Sequence, residues 1–217
     1  SSEVANDPEL VKRFMNEALA AGEIAVVSGY VKGVTGDYSG RDFINLSGYD
    51  YSFGPEDSCW VRYNGIEFIV RAGKESWPVV YVNWSGAKAF AGFYGLDLPT
   101  EAQWEYANRA GKQYKWGTDD GTFSLAKGNV NANGHPVDVG SYAPNPFKLY
   151  DLVGNVMEWC KDLYSSDYYR ISQRNNPAGP DSNKTTEGRV VRGSSWFGND
   201  FWSRSAVRWG IHGDGTM

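Results

Sequence analysis

Few side chains in this sequence could support covalent or metal chemistry, and their number bounds the options. There are two cysteines, Cys59 and Cys160, and two histidines, His135 and His212. A site needing three histidines cannot be assembled from one such chain. His135 stands between Gly134 and Pro136 and reads as a loop residue, whereas His212 falls in an aromatic-rich stretch near the C-terminal end. The cysteines suit either a disulfide in an exported protein or two buried thiols, and both readings stay open. Glu101 and Glu105 sit four residues apart in a helical stretch and read as surface or capping charges rather than an acid/base pair. The stretch that follows Trp196 mixes large aromatics with Gly, Asn, Asp and Ser. A core segment would show alternation or a helical stripe, and this one shows neither. Turned outward, it exposes the apolar area that marks an interaction site. Rigid aromatics serve such sites well, because they give contact area at low entropic cost. Trp196 and Phe201 are the two aromatics expected in the core.

Composition narrows the classes further. The net charge is -5 and no basic footprint is visible, which excludes a nucleic-acid partner. A 41% hydrophobic and 22% charged composition belongs to a folded chain. No apolar run approaches the roughly 20 residues that a membrane-spanning helix requires. The length of 217 residues supports one domain, residues 1–217, with a helical lead-in over 1–22. The chain opens Ser1-Ser2-Glu3, without the charged start and apolar stretch of a leader.

The elements that must position these residues are readable in part. Asn6 or Asp7, then Pro8 and Glu9, mark a helix start, and Leu10, Val11, Phe14, Met15 and Leu19 form its stripe up to Gly22. Ile24–Val31 reads as one strand. Trp60–Val70 reads as a hairpin with Asn64-Gly65 as a two-residue turn. Pro78–Trp84 reads as a short buried strand, and Ser85 as the cap of a helix through Phe93. Thr100 and Gln103 form a capping box just ahead of Trp104, in a helix closed by Gly111. From Tyr114 onward the segments are short and broken by Gly, Asn, Pro and Asp. So much loop calls for internal staples such as calcium, buried Trp or a polar network.

Three motifs carry a resemblance to a known family. Leu98-Pro99-Thr100-Glu101-Ala102-Gln103-Trp104-Glu105-Tyr106-Ala107 is the first. The second runs Val139-Gly140-Ser141-Tyr142, Pro144-Asn145-Pro146-Phe147, then Leu149-Tyr150-Asp151-Leu152-Val153-Gly154-Asn155-Val156-Met157-Glu158-Trp159. The third is Arg189-Val190-Val191-Arg192-Gly193-Ser194-Ser195-Trp196 followed by Arg204-Ser205-Ala206 and Arg208. In this order they resemble the formylglycine-generating-enzyme (sulfatase-modifying factor) family. The likeness is good from about residue 78 onward and loose before it. It implies an α+β, C-type-lectin-like fold with few helices, short antiparallel strands and much loop.

The resemblance also sets expectations for chemistry. Catalysts of this family hold copper on a cysteine pair just after the third motif, since thiolates suit Cu(I). Here Phe197–Ser203 contains no cysteine. Another branch uses a three-histidine iron site, which two histidines cannot build. The implied reading is a non-enzyme that requires no cofactor. A structural Ca²⁺ is the possible exception, on the Asp151 and Glu158 side chains and the Gly154 and Val156 carbonyls. The alternative is that Asn155 and Glu158 merely pin the loop. One branch is non-catalytic and hypervariable: the variable proteins of diversity-generating retroelements, whose variable residues follow the third motif. Carried over, the ligand-binding positions are Ser194, Phe197, Gly198, Asn199, Asp200, Trp202, Ser203, Val207, Trp209, Gly210, Ile211, His212 and Gly213. The partner would be a protein or small-molecule ligand, bound by a monomer at the cell surface or outside the cell. An enzyme with relocated metal ligands is one competing expectation. A plain structural module is another, and it requires Trp202 and Trp209 to pack inside. The family's closing N-x-G-F-R strand has no counterpart before Met217.

Overall fold

The computed structural model describes residues 8–27, 30–46, 59–130, 134–181 and 188–212. These fall into two compact units that divide between Asp97 and Leu98. Each has its own core.

In the first unit, helix α1 (Pro8–Ala20) buries Val11, Phe14 and Met15 of the predicted stripe together with Ala18, while Leu10 and Leu19 are partly buried against the same core. It ends at Gly22 in the left-handed conformation (φ 73°), with the Glu23 N–H donating to the Ala18 carbonyl at 2.8 Å. The expected strand Ile24–Val31 is instead split between β1 (Ile24–Val27) and β2 (Tyr30–Gly33), which pair antiparallel. Strand β3 (Asp42–Asn45) completes a sheet of order β1-β2-β3. Strands β4 (Val61–Tyr63) and β5 (Phe68–Val70) form the expected hairpin. Its turn is four residues, not two, because Tyr63 pairs with Phe68. The Asn64 side-chain oxygen accepts the Ile66 and Glu67 N–H groups, each at 2.9 Å, and so closes the longer loop. Pro78–Trp84 makes a single bridge, Val82 to Ile44, rather than a strand. Helix α2 (Trp84–Phe93) starts two residues earlier than the Ser85 cap implies, with Asn83 at the cap position and Ser85 buried inside the helix. Val31, Phe43, Ile44, Val61, Phe68 and Phe90 fill the core between these elements.

The second unit is mostly loop. Helix α3 (Glu101–Asn108) carries the predicted capping box: the Gln103 N–H donates to Thr100 Oγ1 at 3.2 Å, and the Thr100 N–H donates to Gln103 Oε1 at 2.8 Å. Strands β6 (Glu158–Leu163), β7 (Arg189–Arg192) and β8 (Trp209–Ile211) form an antiparallel sheet of order β6-β7-β8. A four-residue helix, α4 (Tyr168–Ile171), follows β6. The central strand β7 buries Val190, Val191 and Arg192 in succession, the pattern of a strand covered on both faces. Buried asparagines staple the loops. Asn145 Nδ2 donates to the Ala107 and Asn108 carbonyls at the end of α3, at 2.7 and 3.2 Å. Gly154 passes so close to Asn129 that a Cβ there would lie 2.1 Å from its carbonyl oxygen, so no other residue fits. Cys59 and Cys160 are free, buried thiols, the second of the two readings left open.

Candidate functional site

The third motif leads out of β7 into the aromatic stretch, and a buried ionic frame fixes both of its ends. Arg192, fully buried on β7, donates to Glu101 Oε1 at 3.1 Å, to Glu105 Oε2 at 2.5 Å and to the Ser205 carbonyl at 2.5 Å. Arg208 donates to the same Glu101 from Nε at 2.6 Å and Nη2 at 2.7 Å, and to the Ser165 carbonyl at 3.0 Å. Glu101 is 1% exposed. The expectation of surface or capping charges at Glu101 and Glu105 is therefore corrected. The helix turns both carboxylates inward to meet two arginines, which i, i+4 spacing alone does not reveal. The start of α3 is further held by Asp162, whose Oδ2 accepts the Glu101 N–H at 2.9 Å. Burial drives the Asp162 carboxyl up to about 6 against the pull of that hydrogen bond. Ser205 is gripped a second time, its N–H donating to the Lys115 carbonyl at 2.8 Å and its Oγ to the Tyr114 carbonyl at 3.1 Å.

Between these anchors the chain turns outward. Phe197 is 66% exposed, Trp202 39% and Trp209 37%. Asn199, Asp200, Gly210 and His212 are exposed as well, and Gly198, Val207 and Ile211 are half-buried. Gly213 lies outside the described residues. The Phe201, Trp202 and Trp209 rings form a continuous row with centroids 4.9 and 4.6 Å apart. Phe201 itself is 45% exposed, which corrects its assignment to the core. The Arg204 guanidinium lies over its ring at 4.2 Å and takes the place of core neighbours. Trp196 is half-buried.

Two of the proposed display residues point inward. Ser203 is fully buried, with Oγ donating to the Asn199 and Asp200 carbonyls at 3.1 and 3.2 Å, so it holds the loop's turn. Ser194 is buried in the left-handed region (φ 68°), and a Cβ on Gly198 would lie 2.0 Å from its Oγ. Neither Ser194 nor Ser203 is available for display, and a side chain at Gly198 would collide with the Ser194 hydroxyl as it stands. Sequence reasoning missed Lys115 and Trp116, which join this face from a distant loop. Trp116 Nε1 donates to the Asp200 carbonyl at 2.9 Å, and Lys115 Nζ sits 4.5 Å from the Trp116 ring centre. Their loop has no periodicity, so only the tertiary hydrogen bonds disclose the association.

The donor sets bear on metals. Cys160 is buried and its thiol is pushed well above the ordinary range by desolvation, and burial drives Cys59 up to about 12. A Cu(I) site needs a pair of thiolates, and two buried thiols whose burial favours the protonated form do not fit one. The second-motif loop differs. Asp151 (φ 56°) accepts the Gly140 N–H on Oδ2 at 2.7 Å, while its Oδ1 is buried with no hydrogen-bond partner. Glu158 accepts the Trp104 indole N–H at 3.0 Å. Burial raises Glu158 to about 7, and the nearby Asp151 charge adds to the rise. Two neighbouring carboxylates with one orphaned oxygen fit a hard, oxygen-seeking cation. Asn155 pins the loop, as the alternative requires, with Oδ1 accepting the Val137 N–H at 3.0 Å. Glu158, in contrast, anchors an indole rather than backbone. Among the described residues, no three His, Cys, Asp or Glu side chains converge on one point.

Short antiparallel strands, few helices and long stapled loops define a C-type-lectin-like fold of the formylglycine-generating-enzyme type. Residues 33–216 match the sulfatase-modifying factor enzyme 1-like domain, and the chain belongs to that family. The formylglycine-generating enzyme of Streptomyces coelicolor is 39% identical over 158 residues, covering 65% of this chain and 48% of that protein. Serine/threonine-protein kinase pkn1 of Chlamydia pneumoniae is 39% identical over 144 residues, covering 64% of this chain and 22% of that protein. The chain thus spans about half or less of these relatives. Among solved structures, Treponema denticola variable protein 1 aligns with a TM-score of 0.58 at 24% identity, covering 74% of each chain. That likeness is one of fold.

Proposed function

We propose that this chain is a non-catalytic ligand-binding domain that displays a diversified C-terminal face, in the manner of the variable proteins of diversity-generating retroelements. The observation that carries this reading is the outward row of Phe201, Trp202 and Trp209, set between anchors at Arg192, Ser205 and Arg208. A plain structural module would have packed Trp202 and Trp209 inside. Holding the ends rigidly lowers the entropy lost on binding and leaves the intervening side chains free to change. The fold shared with Treponema denticola variable protein 1 is consistent with such a role. The test is a comparison of sister copies from one genome. Differences should concentrate at Phe197, Asn199, Asp200, Phe201, Trp202 and Trp209 and spare Ser194, Gly198 and Ser203. Differences scattered evenly along the chain would defeat the reading.

A second reading is an oxidase with relocated ligands, favoured by the identity to the Streptomyces coelicolor enzyme. Incubation with copper and a sulfatase-derived cysteine peptide separates the two. Aldehyde formation would establish catalysis, and unchanged peptide supports display.

The second-motif loop supports a structural Ca²⁺ held by the Asp151 and Glu158 carboxylates with the Gly154 and Val156 carbonyls. The buried, unpartnered Asp151 Oδ1 is the observation behind it. The ion would neutralise two crowded charges and tie the loop to β6.

A further inference from the structure

The charges of the outward face are not balanced by their surroundings. In the second unit, Arg109, Arg192 and Arg208 each hold a carboxylate within ion-pair distance. Arg204 and Lys115 have no such partner among the described residues. Each instead lies over an aromatic ring, Arg204 over Phe201 and Lys115 over Trp116. Arg204 Nε and Trp196 Nε1 are buried and have no acceptor. Both groups are donors only, so what they lack is an acceptor. Asp200 is the single acidic residue between Ser194 and His212, in a protein whose net charge is -5. The face therefore carries two cations, Arg204 and Lys115, that no carboxylate neutralises among the described residues, and their complement is an anion with apolar parts.

The sheet indicates the form of that anion. Strand β8 pairs with β7 through Trp209–Val191, Gly210–Val190 and Ile211–Arg189, and is the last strand in its sheet among the described residues. Trp209 and Gly210 are exposed on it. An unpaired edge accepts an extended peptide by main-chain hydrogen bonding, with alternate side chains reaching the neighbouring surface.

We infer that the outward face binds an extended acidic peptide along β8, its carboxylates meeting Arg204 and Lys115 and its aliphatic side chains lying on Trp202 and Trp209. This rests on the display reading and names the chemistry of the ligand.

The test uses the full chain and the peptide Ac-Glu-Ser-Leu-Ser-Glu-amide, whose Glu and Leu side chains share one face of an extended chain, with its Gln and Lys counterparts and dextran sulfate as controls. Calorimetry and tryptophan fluorescence report binding. The acidic peptide should bind at least about ten-fold more tightly than the Gln peptide, and added salt should weaken it. Arg204→Gln and Lys115→Gln, the latter at an exposed position, should each weaken binding several-fold, and Arg204→Lys should recover part of the loss. Binding of dextran sulfate alone, equal binding of the Gln or Lys peptide, or no peptide binding at all would overturn the inference. Trp202→Ala keeps the two ideas apart. If it abolishes peptide binding while both charge variants bind normally, the acidic preference is wrong and the display face stands. If peptide binding ignores all three substitutions, the display reading fails with it.

Discussion

Arg208 holds both carboxylate oxygens of Glu101, with its guanidinium also lying 4.6 Å from the Tyr169 ring centre. Arg192 reaches the same carboxylate from β7. Removing that one negative charge leaves Arg208 without a carboxylate and Arg192 with Glu105 alone. Glu101→Gln should therefore cost about 3–5 kcal/mol, the range for breaking a buried pair from one side. Arg208→Lys should also destabilise, because an ammonium cannot reproduce the two-pronged grip. Urea denaturation midpoints measure both. A change under about 1 kcal/mol for Glu101→Gln would show that the frame is not a structural anchor.

Ser194 and Gly198 occupy one space. Gly198→Ala should destabilise by itself, since its Cβ meets Ser194 Oγ. Adding Ser194→Gly should restore most of the loss and also relieve a left-handed serine. A double-mutant cycle should give a coupling of about 0.5–3 kcal/mol. Strict additivity would mean that the two sites do not share the space.

Replacements at exposed positions beside the outward row should be nearly silent for folding. Phe197→Ser and Asp200→Tyr should change stability by no more than about 0.5 kcal/mol. Ser203→Tyr and Ser205→Tyr should prevent folding, because both serines are fully buried and tied to backbone. Thermal melts of the four variants check the contrast.

Asp162 gives a pH signature with a definite sign. Its pKa rises on folding from 3.8 to about 6, so the folded state binds its proton more tightly than the unfolded chain. Its contribution to stability is fully present below 3.8 and is lost as pH climbs through about 6. Burial is the main cause, Glu101 adds to it, and Arg208 opposes it. Asp162→Asn keeps an acceptor for the Glu101 N–H and removes the titration. The variant should gain stability relative to the parent as pH rises from about 4 to 7. A pH-independent difference between the two proteins would contradict this account.

Calcium should raise the melting temperature of the parent protein, and a chelator should reverse the effect. Asp151→Asn should abolish the response, since it removes the carboxylate charge beside the orphaned oxygen. An equal calcium shift in that variant would place the ion elsewhere.

What the sequence disclosed and what it withheld follow from the range of the interactions. The Thr100–Gln103 capping box is local and found as read, and the α1 stripe, also local, is centred on Val11, Phe14 and Met15 with Ala18 added and Leu10 and Leu19 at its margins. The hairpin over 61–70 is also local, and only its turn length differs, because Asn64 builds a wider loop with its side chain. The outward direction of Trp202 and Trp209 was legible from the lack of any period. Phe201 was misplaced because hydrophobicity alone favours the core, and the Arg204 cover over its ring is invisible in one dimension. The inward direction of Glu101, Ser194 and Ser203 depends on partners up to 107 residues away in sequence or on a backbone conformation, neither of which residue type encodes.

Ser205 is bound through its own main chain, its carbonyl accepting from Arg192 and its N–H donating to Lys115. Backbone atoms are common to every amino acid, so this knot survives whatever mutation does to the side chains that precede it. Evolution could therefore rewrite the exposed positions between Trp196 and Ser205, with Gly198 and Ser203 kept, many times over while inheriting one unchanged attachment.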